Sequence, residues 1–501
     1  MSKPMQSSRH KSRLAKGGFV FAACYLLMLL FIFFMIMLND PKGWTQFFTE
    51  QYFDVLFLVV TIFFLMFIVY FYFFFEDKQY LMNKRNIFLV FSLLIFGVIL
   101  CYISSKFIEP HVRPIVLLPL LASFLTNRRH ALFLNFIFTF LMFDIDVYTN
   151  LYAASTQLTA VIYAPLVHGF VSGTLAVYLS RKVRTRGGLV ITGLILALPT
   201  MIICALLNLT ELAGGAAEYA IAVGYRGLGC VASAILALSC LPLFEIIFHC
   251  DTVFRLRELT GAKAPLLARL QKEAPGTFNH SAVVAQLAEV CAVALGENQE
   301  LARAAAYYHD IGKLKQPDCF TENQADYNVH DELTPELSAD IIRSHAIDGY
   351  DLLVHAHMPQ IIADVAREHH GTLPVKYFYN KAVRISGEDV NVKDYSYLGP
   401  TPRSKIAAII MIADGSEAAV RASADRSPEA VERVVRSIIE ERMDLEQFAE
   451  CDITQRDLTV IKQTLVDALS GVYHHRVKYP SIRFTRDKHT VLDKPEKTDD
   501  N

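Results

Sequence analysis

The chain has 501 residues, 53% hydrophobic, 12% aromatic and 20% charged, with Lys+Arg 48, Asp+Glu 50 and a mean hydropathy of +0.31. The near-neutral total joins two unlike halves: residues 1–250 hold 18 basic and 11 acidic side chains, net +7, and residues 251–501 hold the other 30 and 39, net −9. That division excludes disorder, a collagen-like repeat and a single soluble enzyme filling the whole chain, and the acidic second half lacks the Lys and Arg excess of a surface for nucleic-acid polymers.

A bilayer core about 30 Å thick needs roughly 20 apolar residues per helix, because backbone amides cannot stay unpaired in hydrocarbon. Residues 18–38, 53–75, 87–107, 158–180, 189–209 and 219–248 each reach that length. Residues 115–143 are interrupted by Asn127-Arg128-Arg129-His130, so this stretch reads as two shorter crossings with the charges in a turn. The first of them, about 112–126, carries Pro114 and Pro119. The run 18–38 is longer than a signal-peptide core and no A-x-A cleavage site follows it.

Loop charge orients these spans. The N-terminus holds Lys3, Arg9, Lys11, Arg13 and Lys16 without an acid, so it is expected in the cytoplasm. The loops then alternate, 39–52 outside, 76–86 inside, 108–113 outside, 127–130 inside, 144–157 outside, 181–188 inside, 208–218 outside, and everything past 249 inside. Eight crossings satisfy the charges, whereas seven force a basic loop to the wrong side. The expectation is therefore a multi-pass protein of the inner or plasma membrane with both termini cytoplasmic and the lipid bilayer as a partner. His168, Arg226 and Glu245 stand isolated in the spans and read as helix-interior hydrogen-bonding groups rather than a transport path. The nine cysteines stand singly with no CxxC pair, which fits reduced thiols rather than a disulfide framework.

From residue 251 helical periodicity replaces continuous apolarity. Residues 251–272 read as amphipathic helix leading out of the last span, and 281–295, 301–311, 335–346, 359–369, 404–422, 428–442 and 454–471 as further helices, so the class is all-α throughout. Residues 377–403, with Gly387, Gly399, Pro400 and Pro402, read as a long functional loop, and the tail as disordered. The resulting plan is a basic N-terminus 1–17, a transmembrane domain 18–248, a helical connector 249–275, a catalytic domain 276–485 and a tail 486–501.

Eleven of the 16 histidines lie in the second half, and their settings separate them. His280 opens a helix, His309-Asp310 ends one within Tyr-Tyr-His-Asp-Ile-Gly-Lys, His345 follows Arg343-Ser344, and His369-His370 precedes Gly371. Asp414 sits in the apolar run Ile409-Ile410-Met411-Ile412-Ala413, where a carboxylate is costly unless something positive lies against it. A metal ion is the simplest candidate.

The order His280, His309-Asp310, Asp414 resembles the signature of the HD phosphohydrolase superfamily, and His345 with His369 and His370 resembles its two-metal phosphodiesterase branch. The runs 273–281, 306–313, 322–324, 369–372, 376–379, 399–402 and 409–418 are similar to those of the PgpH-type membrane-anchored HD hydrolases, which degrade cyclic di-AMP. That family's usual plan has one span, a large extracytoplasmic domain, seven more spans and the HD domain. Here only residues 39–52 separate the first two spans, so the extracytoplasmic domain is expected to be absent.

The resemblance implies two divalent transition-metal ions, Mn or Fe favoured, with His280, His309, Asp310 and Asp414 on the first and Asp310 bridging to a second held by His345, His369 and His370. Two such ions lower the pKa of a shared water and stabilise charge on phosphoryl oxygens. Asp310 and Lys313 are the catalytic candidates, Lys313 reaching a phosphate oxygen. Lys376, Tyr377 and Tyr379 are candidates for stacking on adenine and contacting phosphate. The expected function is metal-dependent hydrolysis of a cyclic dinucleotide, cyclic di-AMP to pApA. The alternatives are cyclic di-GMP or another nucleotide as substrate, or a non-catalytic nucleotide receptor. A homodimer is compatible with the membrane helices and the connector.

Overall fold

The structure, a computed structural model, describes residues 3–39, 52–148, 158–209, 212, 215–324, 327–387 and 390–472. Most of the 39–52 and 144–157 loops, His474, His475, His489 and the expected disordered tail 486–501 lie outside the described residues. The chain divides into two compact units, Met1–Arg255 and Leu256–Asn501, the boundary falling inside the short helix Val253–Leu259. No strand is formed among the described residues, and one bridge pairs Pro374 with Ser396.

The first unit is a bundle of the helices Lys3–Asn39, Tyr52–Glu76, Lys84–Phe107, Leu117–Leu125, Arg128–Tyr148, Leu158–Ser180, Arg186–Leu207 and Ala216–Phe248, with the short helix Lys78–Met82 between the second and third. Its outward faces are as apolar as its core: Leu26, Leu30, Phe57, Phe64, Leu198 and Ile202 are exposed, while Met28, Ile62, Leu94 and Phe138 are fully buried. Such a surface suits hydrocarbon rather than water, and the unit is that of a multi-pass membrane protein.

Among the described residues seven helices are long and apolar enough to cross a bilayer, six here and Pro275–Leu295 in the second unit. The apolar side chains of that seventh helix, Val284, Leu287, Ala288 and Cys291 among them, are spent on the second unit's core. Two apolar helical stretches in the first unit are shorter, Pro110–Leu125 and Pro165–Ser180.

The single helix expected at 112–126 is interrupted instead. A 3-10 turn at Pro110–Val112 precedes an α-helix of only 9 residues, Leu117–Leu125, about 14 Å long and almost wholly buried. Its partner, Arg128–Tyr148, has 21 residues and is a full-length candidate span rather than a short one.

Glu245 is likewise not isolated. It accepts a hydrogen bond from Thr252 Oγ1 and lies 3.4 Å from Arg186 Nη2, which ties the end of the last helix to the residues that follow it. A second buried pair holds the turn before the short helix: Arg113 Nη1 is 2.5 Å from Asp146 Oδ2, and Arg113 Nε donates to Ser105.

In the second unit, Lys405–Ala422 is the central helix. Ile406 to Asp414 are all buried, and a helix that is apolar all round has to be enclosed by others. Pro275–Leu295, Gln299–Tyr308, Gln360–Glu368, Pro428–Asp444 and Gln455–Val472 enclose it, with Pro335–His355 packed on Gln360–Glu368. Ser404 caps the central helix through Ala407 N, and Gly296 in the left-handed region ends the Pro275–Leu295 helix.

The long loop expected at 377–403 is also corrected. Lys376–Ser386 is a helix, a 3-10 turn Val392–Tyr395 follows, and among the described residues only the rest is irregular. Phe378 and Ala382, one turn apart, bury against Ala339 and Tyr395, and this tertiary face holds a helix whose own propensity is weak.

Removing the Asp146 carboxylate strands a buried guanidinium, so Asp146→Ala should cost about 3–5 kcal/mol, read from thermal unfolding of the detergent-purified protein. Arg113→Met in the same chain should recover most of the loss. A single variant as stable as the parent would show that the pair does not hold the turn.

Candidate metal centre

The seven candidate ligands come from different elements of the second unit and converge. Tyr308 is the last residue of its helix; the chain then tightens into the 3-10 turn Ile311–Lys315, which leaves His309 and Asp310 at the break facing inward. A Cβ on Gly312 would lie 2.0 Å from the His345 carbonyl oxygen, so only glycine lets this turn press against the helix Pro335–His355.

Two groups form, His280 with His309 and Asp414, and Asp310 with His345, His369 and His370, the ligand atoms within each lying within 4.8 Å of one another. Asp310 belongs to both by geometry. Its Oδ2 is 3.3 Å from His309 Nε2 and 3.9 Å from His280 Nε2, while its Oδ1 is 3.3 Å from His345 Nε2 and 3.6 Å from His369 Nε2. Asp414 is divided the same way: Oδ1 lies 2.9 Å from His280 Nε2, and Oδ2 lies 3.9 Å from His370 Nδ1.

The outer nitrogens define the tautomers. His309 Nδ1 is 2.7 Å from the Ala306 carbonyl, His345 Nδ1 2.5 Å from that of Ile342, and His369 Nδ1 2.8 Å from that of Ala366. A carbonyl only accepts, so each Nδ1 carries a proton and donates it, and Nε2 is the nitrogen that faces the centre. His280 donates from Nδ1 to Glu417 Oε2 at 2.5 Å, the carboxylate support usual behind a metal-binding imidazole.

Burial works against charge on His309, but the Asp310 and Asp414 carboxylates outweigh it and lift its pKa to about 10. Burial also opposes ionisation of Asp310, yet His309 and Lys313 hold it well below the usual carboxylate range, and His280 and His309 do the same for Asp414. His369 goes the other way, pushed down to about 4 by burial, and burial with the neighbouring His369 keeps His370 low. Protons on His280 and His309 thus supply the positive charge that these carboxylates require. His309 Nε2 and Asp310 Oδ1 are buried without a hydrogen-bond partner, which a cation would resolve. The donor set of imidazoles and carboxylates fits a divalent transition metal.

Lys313 lies at the centre's edge, its Nζ 2.8 Å from Asp310 Oδ2 and 2.7 Å from Glu322 Oε1, with the Phe320 ring beneath it at 4.9 Å. Thr277 donates to Glu322 at 3.0 Å, and Asn323 receives Thr277 N at 3.1 Å, so the start of the His280 helix and the Lys313 anchor are one unit.

Lys376, Tyr377 and Tyr379 are not among the clustered ligands. Lys376 pairs with Glu441 at 2.6 Å, Tyr377 points to solvent, and Tyr379 packs edge-on to Tyr395. Three residues absent from the sequence reading are present instead. Tyr397 stacks on His370 with ring centres 4.3 Å apart. Gln447 accepts from Thr372 N at 2.9 Å and donates to its hydroxyl, which clasps the turn after His370. Glu417, one turn past Asp414 on the same apolar helix, was accessible to the argument used for Asp414. Gln447 had no local signal and Tyr397 only its place in the stretch 377–403, both being brought in from distant sequence.

Geometry and ligand set define an HD-type centre, and residues 277–419 match the HD domain family, whose members are metal-dependent. Residues 52–252 match the family described as a 7TM receptor with intracellular HD hydrolase, and the chain belongs to that family of membrane-borne HD proteins. It is 40% identical over 372 residues to the cyclic-di-AMP phosphodiesterase PgpH of Listeria monocytogenes serotype 1/2a (strain 10403S), covering 73% of this chain and 50% of that one. It is 39% identical over 316 residues to PgpH of Bacillus subtilis (strain 168), covering 63% and 44%. The chain thus spans about half the length of the curated relatives it matches. The crystal structure of the L. monocytogenes PgpH HD domain in complex with cyclic-di-AMP matches 43% of this chain and 100% of that one, at 48% identity and a TM-score of 0.41.

Metal loading must displace the proton from His309 Nε2, so adding Mn²⁺ to chelated protein at pH 7.5 should release protons, measured by calorimetry in buffers of different ionisation heat. Binding with no proton release would contradict the assignment. In the chelated protein the raised His309 pKa contributes stability that is complete below about 6.5 and lost as pH rises through about 10. Its melting temperature should therefore fall across that window more steeply than that of the loaded protein.

Proposed function

We propose that the chain is a metal-dependent phosphodiesterase that hydrolyses a cyclic dinucleotide, cyclic di-AMP to linear pApA. The observation that carries the reading is the Asp310 carboxylate, one oxygen toward each of two histidine groups. The identity to two curated cyclic-di-AMP phosphodiesterases supports the choice of substrate.

In this reading His280, His309, Asp310 and Asp414 hold one divalent ion, and Asp310, His345, His369 and His370 a second, Mn or Fe being favoured by the imidazole and carboxylate donors. Such ions, when bound, lower the pKa of water and neutralise charge on phosphoryl oxygens. The protein's own part is positional. Glu417 and the Ala306, Ile342 and Ala366 carbonyls fix the imidazoles, so little reorganisation accompanies the reaction.

Lys313 is the cation available to a non-bridging phosphate oxygen, steadied by Glu322 until substrate arrives. His370 and Asp414 are the more open members, at 22% and 13% side-chain exposure, so substrate approaches from their side, beside Tyr397. Burial, and after it the charges of Asp310 and Asp414, raise the Tyr397 pKa, which keeps its phenol a hydrogen-bond donor there. Hydrolysis adds one water across one P–O bond and opens the ring.

The same reading takes 276–485 as the catalytic domain, joined by the connector 249–275 to membrane spans 18–248, with both termini cytoplasmic and a homodimer as the assembly. The bases flanking the spans, Arg13, Lys16, Lys84, Arg85, Arg181 and Lys182, support the orientation.

Detergent-purified full-length protein loaded with Mn²⁺ or Fe²⁺ should convert cyclic di-AMP to pApA faster than it acts on cyclic di-GMP or mononucleotides. No turnover of any of them with metal bound would end the enzyme reading. Asp310→Ala should lose bound metal and hydrolysis together. Lys313→Ala should keep metal, measured by elemental analysis, and lose roughly 100-fold in kcat; unchanged kcat would remove Lys313 from the mechanism.

A further inference from the structure

A cavity in the membrane unit has no part in the chemistry above. Where the helix Lys3–Asn39 crosses the helix Lys78–Met82, a Cβ on Gly17 would sit 2.1 Å from the Leu81 carbonyl oxygen, so the approach is open only to glycine. Beside this crossing lies an open cavity of about 770 Å³, lined by Arg13, Lys16, Gln79, Asn83, Lys84 and Arg85 among others.

Four of the lining side chains are cations and none is an acid. None of the four has an ion-pair partner among the described residues. The nearby polar groups are already engaged: Asp77 Oδ1 accepts from Tyr80 N, and Asn83 Oδ1 accepts from Arg85 N. Lys84 and Arg85 open the helix Lys84–Phe107, where the macrodipole already presents positive charge, so their sign adds to the repulsion. The close crossing at Gly17 therefore gathers four like charges around an open space; Asp251 lies near enough to feel Arg85, and no ion pair to Arg13, Lys16 or Lys84 is formed among the described residues.

The cavity's level is set by the sequence. Lys16 precedes the apolar run 18–38 and Arg85 the apolar run 87–107, so both stand where the hydrocarbon ends. A volume of this size admits a phosphate group with its glycerol. Basic loops are general on one side of membrane proteins, and Arg181 and Lys182 form another here; an open cavity beside a close helix crossing is the further feature at Gly17.

We propose that this cavity takes a phosphate-bearing anion, which at this level is the head group of an anionic phospholipid, with free inorganic phosphate the other source of the same chemistry. The bound anion supplies the counter-charge that lets the first helix and the Lys78–Met82 segment stay in contact. The inference does not depend on the catalytic reading, since its test involves no substrate.

Full-length protein in detergent, exposed to phosphatidylglycerol or phosphatidylcholine and examined by native mass spectrometry, should retain phosphatidylglycerol roughly tenfold better. Lys16→Gln with Lys84→Gln should abolish that preference, and Lys16→Arg with Lys84→Arg should preserve it. The charge-matched pair Arg181→Gln with Lys182→Gln should leave it intact. Millimolar inorganic phosphate that fails to displace the lipid assigns the site to lipid, whereas displacement with a phosphate adduct assigns it to the free anion. Equal retention of the two lipids with no phosphate adduct, or equal loss in the two glutamine variants, would overturn the proposal.

Discussion

Two carboxylates enclosed in an alanine- and isoleucine-rich helical core set the terms for the second half of this protein. Asp310 and Asp414 are buried, and burial by itself would drive them toward the neutral form. Cationic partners reverse that, and nearly every neighbouring side chain can be understood through the requirement. His309 and His280 hold charge toward them, Lys313 pairs with Asp310, and Glu417 and the helical carbonyls turn the imidazoles of His280, His309, His345 and His369 so that Nε2 faces inward. The small residues Ala302, Ala304, Ala305 and Ala306 bring the helices close enough for ligands from five segments to meet. A centre of this kind is costly to assemble without cations and is correspondingly specific for them.

The membrane half obeys the opposite accounting. Its interior and exterior are equally apolar, so transfer from solvent does not choose which faces pack. Polar contacts help to make the choice. Arg113 with Asp146 pins the turn before the short buried helix, and Glu245 with Arg186 and Thr252 ties down the exit of the last long helix. Each is a pair whose separation would leave a charge in a poor solvent. The close contact at Gly17 is a third device, in which removing a side chain lets two backbones approach.

Much of the site was legible because metal ligands have strong local context. A histidine beside an aspartate at a helix end, a histidine pair before glycine and a carboxylate in an apolar helix each conflict with ordinary packing; these five residues, with His280 and His345 added by the resemblance to the HD signature, converge in space. Substrate contacts were not legible in the same way. Lys376, Tyr377 and Tyr379 were chosen by side-chain type, and their segment is a helix held by Phe378 and Ala382, with Tyr377 exposed and Tyr379 against Tyr395. Tyr397 was marked only as part of the functional stretch 377–403 and Gln447 not at all, because a stack on His370 and a clasp on Thr372 depend on loops closing across long separations.

The amino-acid sequence alone determined the division into an apolar and a charged half, the all-helical class and the identity of the ligand candidates. The first two follow from periodicity and charge, and the ligand candidates from local runs that resemble the HD signature, all of which act within a few residues. Tertiary structure decided that residues 112–126 contain only a short buried helix, that 376–386 is helical, and how the oxygens of Asp310 are shared between two histidine groups. Those outcomes depend on which surfaces meet and at what angle, and no window of sequence contains both partners.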